Sequence, residues 1–213
     1  MRLTQDDILG CVLAGGLSRR MGGGDKSLRP LGDGSMLSRV VERLRPQVGR
    51  LLLNANGDPE RFSQFGLPVV ADQVEGFAGP LAGISAAMEW ASIHEPGMSH
   101  IVTAASDTPF FPTDLVAGLL SANDGGSETI VMATSGGFRH PVFSLWPVCL
   151  RDDLTAWLRD TDTLKVMAWV QRHDLLSVEF ANVETAAGPV DPFFNANTPE
   201  DLAAAEDILA RIG

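Results

Sequence analysis

Near the amino terminus an apolar run, Ile8-Leu9-Gly10-Cys11-Val12-Leu13, passes through Ala14 into a segment holding five glycines, two adjacent arginines and a lysine before Ser27. A run that is apolar at successive positions, rather than at every second one, reads as a strand buried on both faces. Strands of that kind belong to parallel sheets covered by helices on either side. The glycines that follow let backbone N–H groups turn inward together as an anion nest. Arginine adds a forked donor for phosphate oxygens, and lysine adds a compact charge. A buried strand feeding a bare cationic loop therefore predicts an α/β fold with an anionic ligand at the strand's carboxyl end.

The rest of the chain alternates to match. Helical spacing over 36–48 (Met36, Leu37, Val40, Val41, Leu44) is followed by apolar strands at 50–54 and 67–72. A helix at 80–93 opens with Pro80, and a strand spans 100–107. A helix at 112–120, strands at 129–133 and 141–146, helices at 152–159 and 164–172 and a strand at 175–180 complete the middle. Thr198-Pro199-Glu200-Asp201 opens a last helix, with Asn197 or Thr198 as N-cap. The pattern predicts a three-layer α/β/α, Rossmann-like fold with a mainly parallel sheet, in one domain over 1–213. In such sheets ligands collect at the carboxyl ends of the strands. Gly15-Gly16, Asn54, Asp72 and Asp107 stand there.

Charge narrows the ligand. The net charge is −11, but residues 1–50 hold nine Lys/Arg against five Asp/Glu, and the remainder seven against twenty-two. So acidic a chain excludes general nucleic-acid binding, and the local basic excess points to a small anion at the loop. Most of the arginines of 39–45 read as a solvated helix face, whereas Arg19, Arg20 and Lys26 read as ligand contacts. Lysine occurs at positions 26 and 165 only. No apolar run reaches the roughly 18 residues of a membrane span. Cys11 and Cys149 form no metal or redox pattern, and a reduced cytoplasm is the expected setting.

Two familiar phosphate loops are excluded. A P-loop needs glycine before its lysine, and here Asp25 precedes Lys26. A dinucleotide fingerprint needs a third glycine where Ser27 stands, and an acidic residue where Asn54 ends the second strand. A carboxylate at a strand end, Asp107, followed by Thr108-Pro109, suits Mg²⁺, which takes one or two protein carboxylates and fills its shell with phosphate oxygens and water.

LAGGLSRRMGGGDKS, GPLAGI at 79–84 and SDTPF at 106–110 resemble the molybdenum cofactor guanylyltransferase family. Asn54, Asp72, HPVF at 140–143 and NANTPEDL at 195–202 follow in matching order. The resemblance implies a nucleotidyltransferase fold, with GTP and molybdenum-loaded molybdopterin as substrates, Mg²⁺ as cofactor and GMP transfer as the reaction. It implies that Leu13, Ala14, Gly15 and Gly16 line the nucleotide, that Lys26 and Arg19 meet its phosphates, and that Asn54 and Asp72 contact the guanosine. Asp107 would bind the metal, and Asn195 and Asn197 the pterin substrate. Related cytidylyltransferases place alanine where this chain has Gly15 or Gly16, so the paired glycines favour a purine. Arg139-His140 matches a family motif without a chemical role, and a buried, hydrogen-bonded histidine is expected there. The family also admits transient contact with proteins that deliver molybdopterin or mature molybdoenzymes. The competing readings are a CTP-dependent or sugar-phosphate nucleotidyltransferase and a non-catalytic GTP-binding module.

Overall fold

The computed structural model describes residues 3–15, 25–73, 79–123 and 126–212. In chain order these form β1 (Ile8–Leu13), β2 (Pro30–Leu31), β3 (Gly34–Ser35), α1 (Met36–Leu44), β4 (Arg50–Asn54) and β5 (Val69–Val70). Next come α2 (Pro80–His94), β6 (His100–Ala105), α3 (Leu115–Ala122), β7 (Ile130–Ser135) and β8 (Phe138–Pro147). The chain closes with α4 (Arg151–Asp160), α5 (Val166–Val170), β9 (Leu175–Glu179), β10 (Val183–Thr185), β11 (Gly188–Val190) and α6 (Pro199–Ile212).

Seven strands make one sheet in the order β5-β4-β1-β6-β8-β7-β9. β5, β4, β1 and β6 run parallel, as do β7 and β9, while β8 lies antiparallel to both its neighbours. The mainly parallel sheet expected from the apolar runs is present, and its successive side chains divide between two helical layers. Ile8 and Val12 of β1 pack with Leu37, Val40, Val41 and Leu44 of α1 and with Leu115, Val116 and Leu119 of α3. Leu9 and Cys11 pack the other way, with Ile84 and Met88 of α2, Leu154 and Leu158 of α4 and Trp169 of α5. Burial on both faces is why β1 carries no polar alternation.

Local chemistry sets the ends. Ser35 and Ser38 form reciprocal caps that start α1, and Pro46 lies in a 3-10 turn that ends it four residues before the expected position 48. The antiparallel β8 inserts beside β6 through a buried polar pair, Trp146 Nε1 donating to Thr103 Oγ1 at 2.8 Å. At the amino end of β6, His100 is buried with Nε2 unpartnered, and burial pushes its pKa down to about 4. A third cluster fastens α6 to the β2–β3 hairpin through Leu31, Phe110, Ala196, Ala205 and Ile208. It brings the chain before α6 up to the carboxyl edge of β6. Among the described residues no helix is long and apolar enough to cross a membrane.

Not every arginine of α1 is a solvated charge, as the sequence led us to expect. Arg43 turns inward, its Nε donating to the Phe111 carbonyl at 2.6 Å and its Nη2 approaching that of Phe110 at 3.5 Å. Burial lowers its pKa.

Candidate active site

β1 ends between two neighbours. Leu13 pairs with Asn54 of β4 on one side and Ala105 of β6 on the other. The ladder runs on, with Ala14 N donating to Asn54 O at 2.8 Å and Ser106 N to Leu13 O at 3.2 Å. This fixes Leu13, Ala14 and Gly15 at the centre of the edge. Gly15 is exposed, and among the described residues a Cβ built there would meet nothing within 4 Å. Gly16, Arg19, Arg20 and the Gly22-Gly23-Gly24 run lie outside the described residues.

On the β6 side, Asp25 reopens the described chain. Its Oδ1 accepts from Ser27 N at 3.0 Å and Ser27 Oγ at 2.6 Å, capping the short turn Lys26–Leu28. The turn aims Lys26 at the end of β6, where its Nζ lies 2.7 Å from Asp107 Oδ2 and 2.5 Å from Asn197 Oδ1. The side chains of Lys26 and Asp107 are 15% and 22% exposed, so the pair is shielded but reachable. Asn197 is free for this because it is not the helix cap. Thr198 is: its Oγ1 accepts from Asp201 N at 3.1 Å, and Asp201 Oδ2 takes the amides of Asn197 and Thr198, both at 2.9 Å. Those backbone donors hold the Asp201 carboxyl below its ordinary range. Ala196 N donates to Asp107 O at 2.9 Å, stitching the segment to β6. Asn195 is exposed, with no side-chain hydrogen bond among the described residues.

On the β4 side the groups satisfy one another. Asn54, 4% exposed, donates through Nδ2 to Val70 O at 3.1 Å and to Asp72 Oδ1 at 2.9 Å. Asn56 Nδ2 reaches Asp72 Oδ2 at 2.7 Å, and Asp72 N returns a bond to Asn56 Oδ1 at 2.8 Å. The start of α2 presses on this group. A Cβ at Gly83 would lie 2.2 Å from Asn54 Oδ1 and 2.9 Å from Leu13 Cδ2, which gives the glycine of the GPLAGI stretch a steric reason.

Three contributors escaped the sequence reasoning. Asn56 repeats Asn54 at a spacing of two, which on a strand end places both on one face. Gly83 stands in the GPLAGI stretch, but nothing local shows its role, since the atom it makes room for comes from β4. Arg61 has no local signal. Its Nη2 donates to Asn56 O at 2.5 Å, and its Nε lies 3.3 Å from Asp25 Oδ2, so it spans the two halves of the edge.

No three His, Cys, Asp or Glu residues gather as a metal cage among the described residues. Asp107 offers a single carboxylate, whose Oδ1 has among the described residues only the Thr108 hydroxyl at 3.4 Å. That oxygen donor set fits a hard ion completing its shell from phosphates and water, and does not fit zinc.

Comparisons with known proteins give the family and the fold. Residues 10–176 match the family described as the MobA-like NTP transferase domain. The molybdenum cofactor guanylyltransferase of Mesorhizobium japonicum is 55% identical over 95% of this chain and 96% of its own length. The structure of molybdopterin-guanine dinucleotide biosynthesis protein A from Archaeoglobus fulgidus superposes with a TM-score of 0.73 at 20% identity, over 95% of this chain and 98% of that one. A Mycobacterium tuberculosis protein solved in complex with manganese gives 0.66 at 18% identity, over 96% and 98%.

Proposed function

The chain belongs to the MobA-like NTP transferase domain family, and on that premise we propose that it transfers GMP from GTP to the terminal phosphate of the molybdenum-pterin cofactor, releasing pyrophosphate. The observation that carries the reading is the meeting of Lys26, Asp107 and Asn197, from three distant stretches of sequence, where β1 and β6 end.

An oxygen of the pterin phosphate bonds to the α-phosphorus of GTP while the bond from that phosphorus to the β-phosphate oxygen breaks. Pyrophosphate leaves with the electron pair. The nucleophile is already an anion, so no side chain has to take a proton at the attack. What remains is alignment and neutralisation of charge. Lys26, held by Asp107 and Asn197, turns its ammonium to the departing pyrophosphate oxygens once a triphosphate arrives. The backbone of Leu13, Ala14 and Gly15 lines the nucleotide, joined by Gly16 and Arg19 from the adjoining loop. Asn54 and Asp72, already fixed by their mutual bond, receive the guanosine. Asn195 and Asn197 face the pterin phosphate. Asp107 would hold Mg²⁺, which when bound supplies charge neutralisation across the phosphates. The unpaired Cys11 and Cys149 support a cytoplasmic setting.

The test is pyrophosphate release with each of the four nucleoside triphosphates, in Mg²⁺, with and without metal-loaded molybdopterin. Release with GTP and the pterin together is expected. Release with CTP as fast as with GTP, or with GTP and no pterin, overturns the proposal.

A further inference from the structure

Arg139-His140 takes no part in the reaction above, yet the second residue of the pair is tied into the fold more tightly than its position near a hairpin tip requires. β8 sets His140 opposite Ala133 of β7. Its ring stacks on Phe193, with centroids 4.1 Å apart and planes at 19°. His140 Nε2 lies 2.7 Å from Ser135 Oγ, and Ser135 Oγ lies 2.9 Å from Asp191 Oδ1. An ionised carboxylate can only accept, so the single hydroxyl proton of Ser135 points to Asp191. Ser135 Oγ then accepts from His140, whose Nε2 carries the ring proton. Burial lowers the His140 pKa against the opposing pull of Asp191 and Glu179, in keeping with a neutral ring. This order of groups excludes a serine nucleophile with a histidine base, in which the hydroxyl would donate to the imidazole.

The chain of donors ends on the backbone. Asp191 Oδ1 also accepts from Phe193 N at 2.9 Å. Phe193 is packed edge-on by Phe143 at 4.9 Å and Phe180 at 5.9 Å between ring centroids. Three residues later Ala196 N binds Asp107 O, and the next side chain, Asn197, receives Lys26. The stretch 191–197 is thus anchored by the polar chain at one end and joined to Asp107 and Lys26 at the other. Ser135 is 1% exposed, so water cannot take over its bonds without opening the core.

We infer that Ser135, His140 and Asp191 are positioning residues that set Asn197 against Lys26, an inference that rests on the transfer reaction proposed above. Removal of the Ser135 hydroxyl lets the stretch 191–197 shift and uncouples Asn197 from the lysine, while Leu13, Ala14, Asn54 and Asp72 at the rest of the edge keep their places.

The experiment is a double-mutant cycle of Ser135→Ala and Asn197→Ala, read as kcat/KM for pterin-dependent GTP turnover. Ser135→Ala should lower kcat/KM by about tenfold in the otherwise native enzyme and by less than about twofold when Asn197 is already alanine. His140→Phe, which keeps a stacked ring and removes the donor, should reproduce the Ser135→Ala result and serves if the serine variant fails to fold. An equal loss in both backgrounds, or no loss in the first, overturns the inference. A second readout does not need the reaction. Hydrogen exchange of the Ala196 amide in the resting protein should quicken by about tenfold in either variant, with β1 unchanged. If the native enzyme fails to turn over GTP with the pterin, the proposed reaction falls, and the Ala196 exchange alone decides the positioning. Unaltered exchange sinks it.

Discussion

The two halves of the sheet's carboxyl edge are held in opposite ways. Beside β4, Asn54, Asn56 and Asp72 bond to one another against a wall formed by α2, and the Gly83 backbone fits so closely that no Cβ could be added without moving Asn54 or Leu13. Beside β6, Lys26, Asp107 and Asn197 come from three separate elements and meet only through their polar tips. The first half is a socket finished by packing. The second is a charge balance that, in the proposed reaction, a ligand takes over. The difference follows from the ligand parts each would receive. A nucleoside has a shape that packing can match in advance. A polyphosphate presents charge, and a shielded ammonium left without an anion would bear its desolvation cost throughout the ligand-free state.

If this contrast is right, alanine at Lys26 or Asp107 damages chemistry far more than folding. Each should lower kcat by about 10³-fold, the loss expected when a preorganised charge facing the reacting phosphates is removed. Thermal midpoints should move little, since the pair is partly exposed and water reaches whichever charge is left alone, for a cost of about 1 kcal/mol. Single-turnover pyrophosphate release and thermal melts check both. A large fall in stability with modest loss of turnover would erase the distinction between the halves.

Gly83→Ala should show the reverse pattern. The added methyl must displace Asn54 or Leu13 and should cost about 1–3 kcal/mol in urea unfolding, the usual range for overpacking. With Asn54 pushed from Asp72, KM for GTP should rise while kcat stays within a few-fold. A variant as stable as the native protein would mean that α2 can slide, and the socket would lose its claim to be preset.

The same contrast explains what the sequence let us read. β1, β4 and β6 were legible because burial on both faces leaves an unbroken apolar run. β5 was expected over 67–72 and forms only at Val69–Val70, an edge position that Pro68, lacking an N–H, cannot extend. The hairpins β2–β3 and β10–β11 passed unseen, because two- and three-residue strands leave no period to detect. Lys26 and Asp107 stood out as charges beside a glycine loop and at a strand end. Asn197 did not resolve, since its local pattern served equally for a helix cap. What decides between the two is that Thr198 takes the cap and that Lys26, 171 residues away in sequence, arrives to use the amide oxygen. Arg61 and Gly83 were illegible for the same reason, as their meaning lies in atoms supplied by other elements.

The smallest expected effect tests the boundary between the halves. Gly15 lies where the socket meets the charge balance, and its backbone does not require glycine: a Cβ there meets nothing within 4 Å among the described residues, and its φ lies outside the left-handed region. Gly15→Ala should therefore leave the unfolding midpoint unchanged. Any cost must then come from the ligand. If the open space belongs to a purine nucleotide, one methyl should lower kcat/KM for GTP by about tenfold or less, within the range for a single added methyl group in a pocket. Any residual activity with CTP should fall less, so that the preference for GTP narrows. The measurement is the ratio of kcat/KM for GTP to that for CTP in the two proteins. An unchanged ratio would mean that the nucleotide does not use the space before Gly15, and that purine selection rests wholly on the wall of Asn54, Asp72 and Gly83.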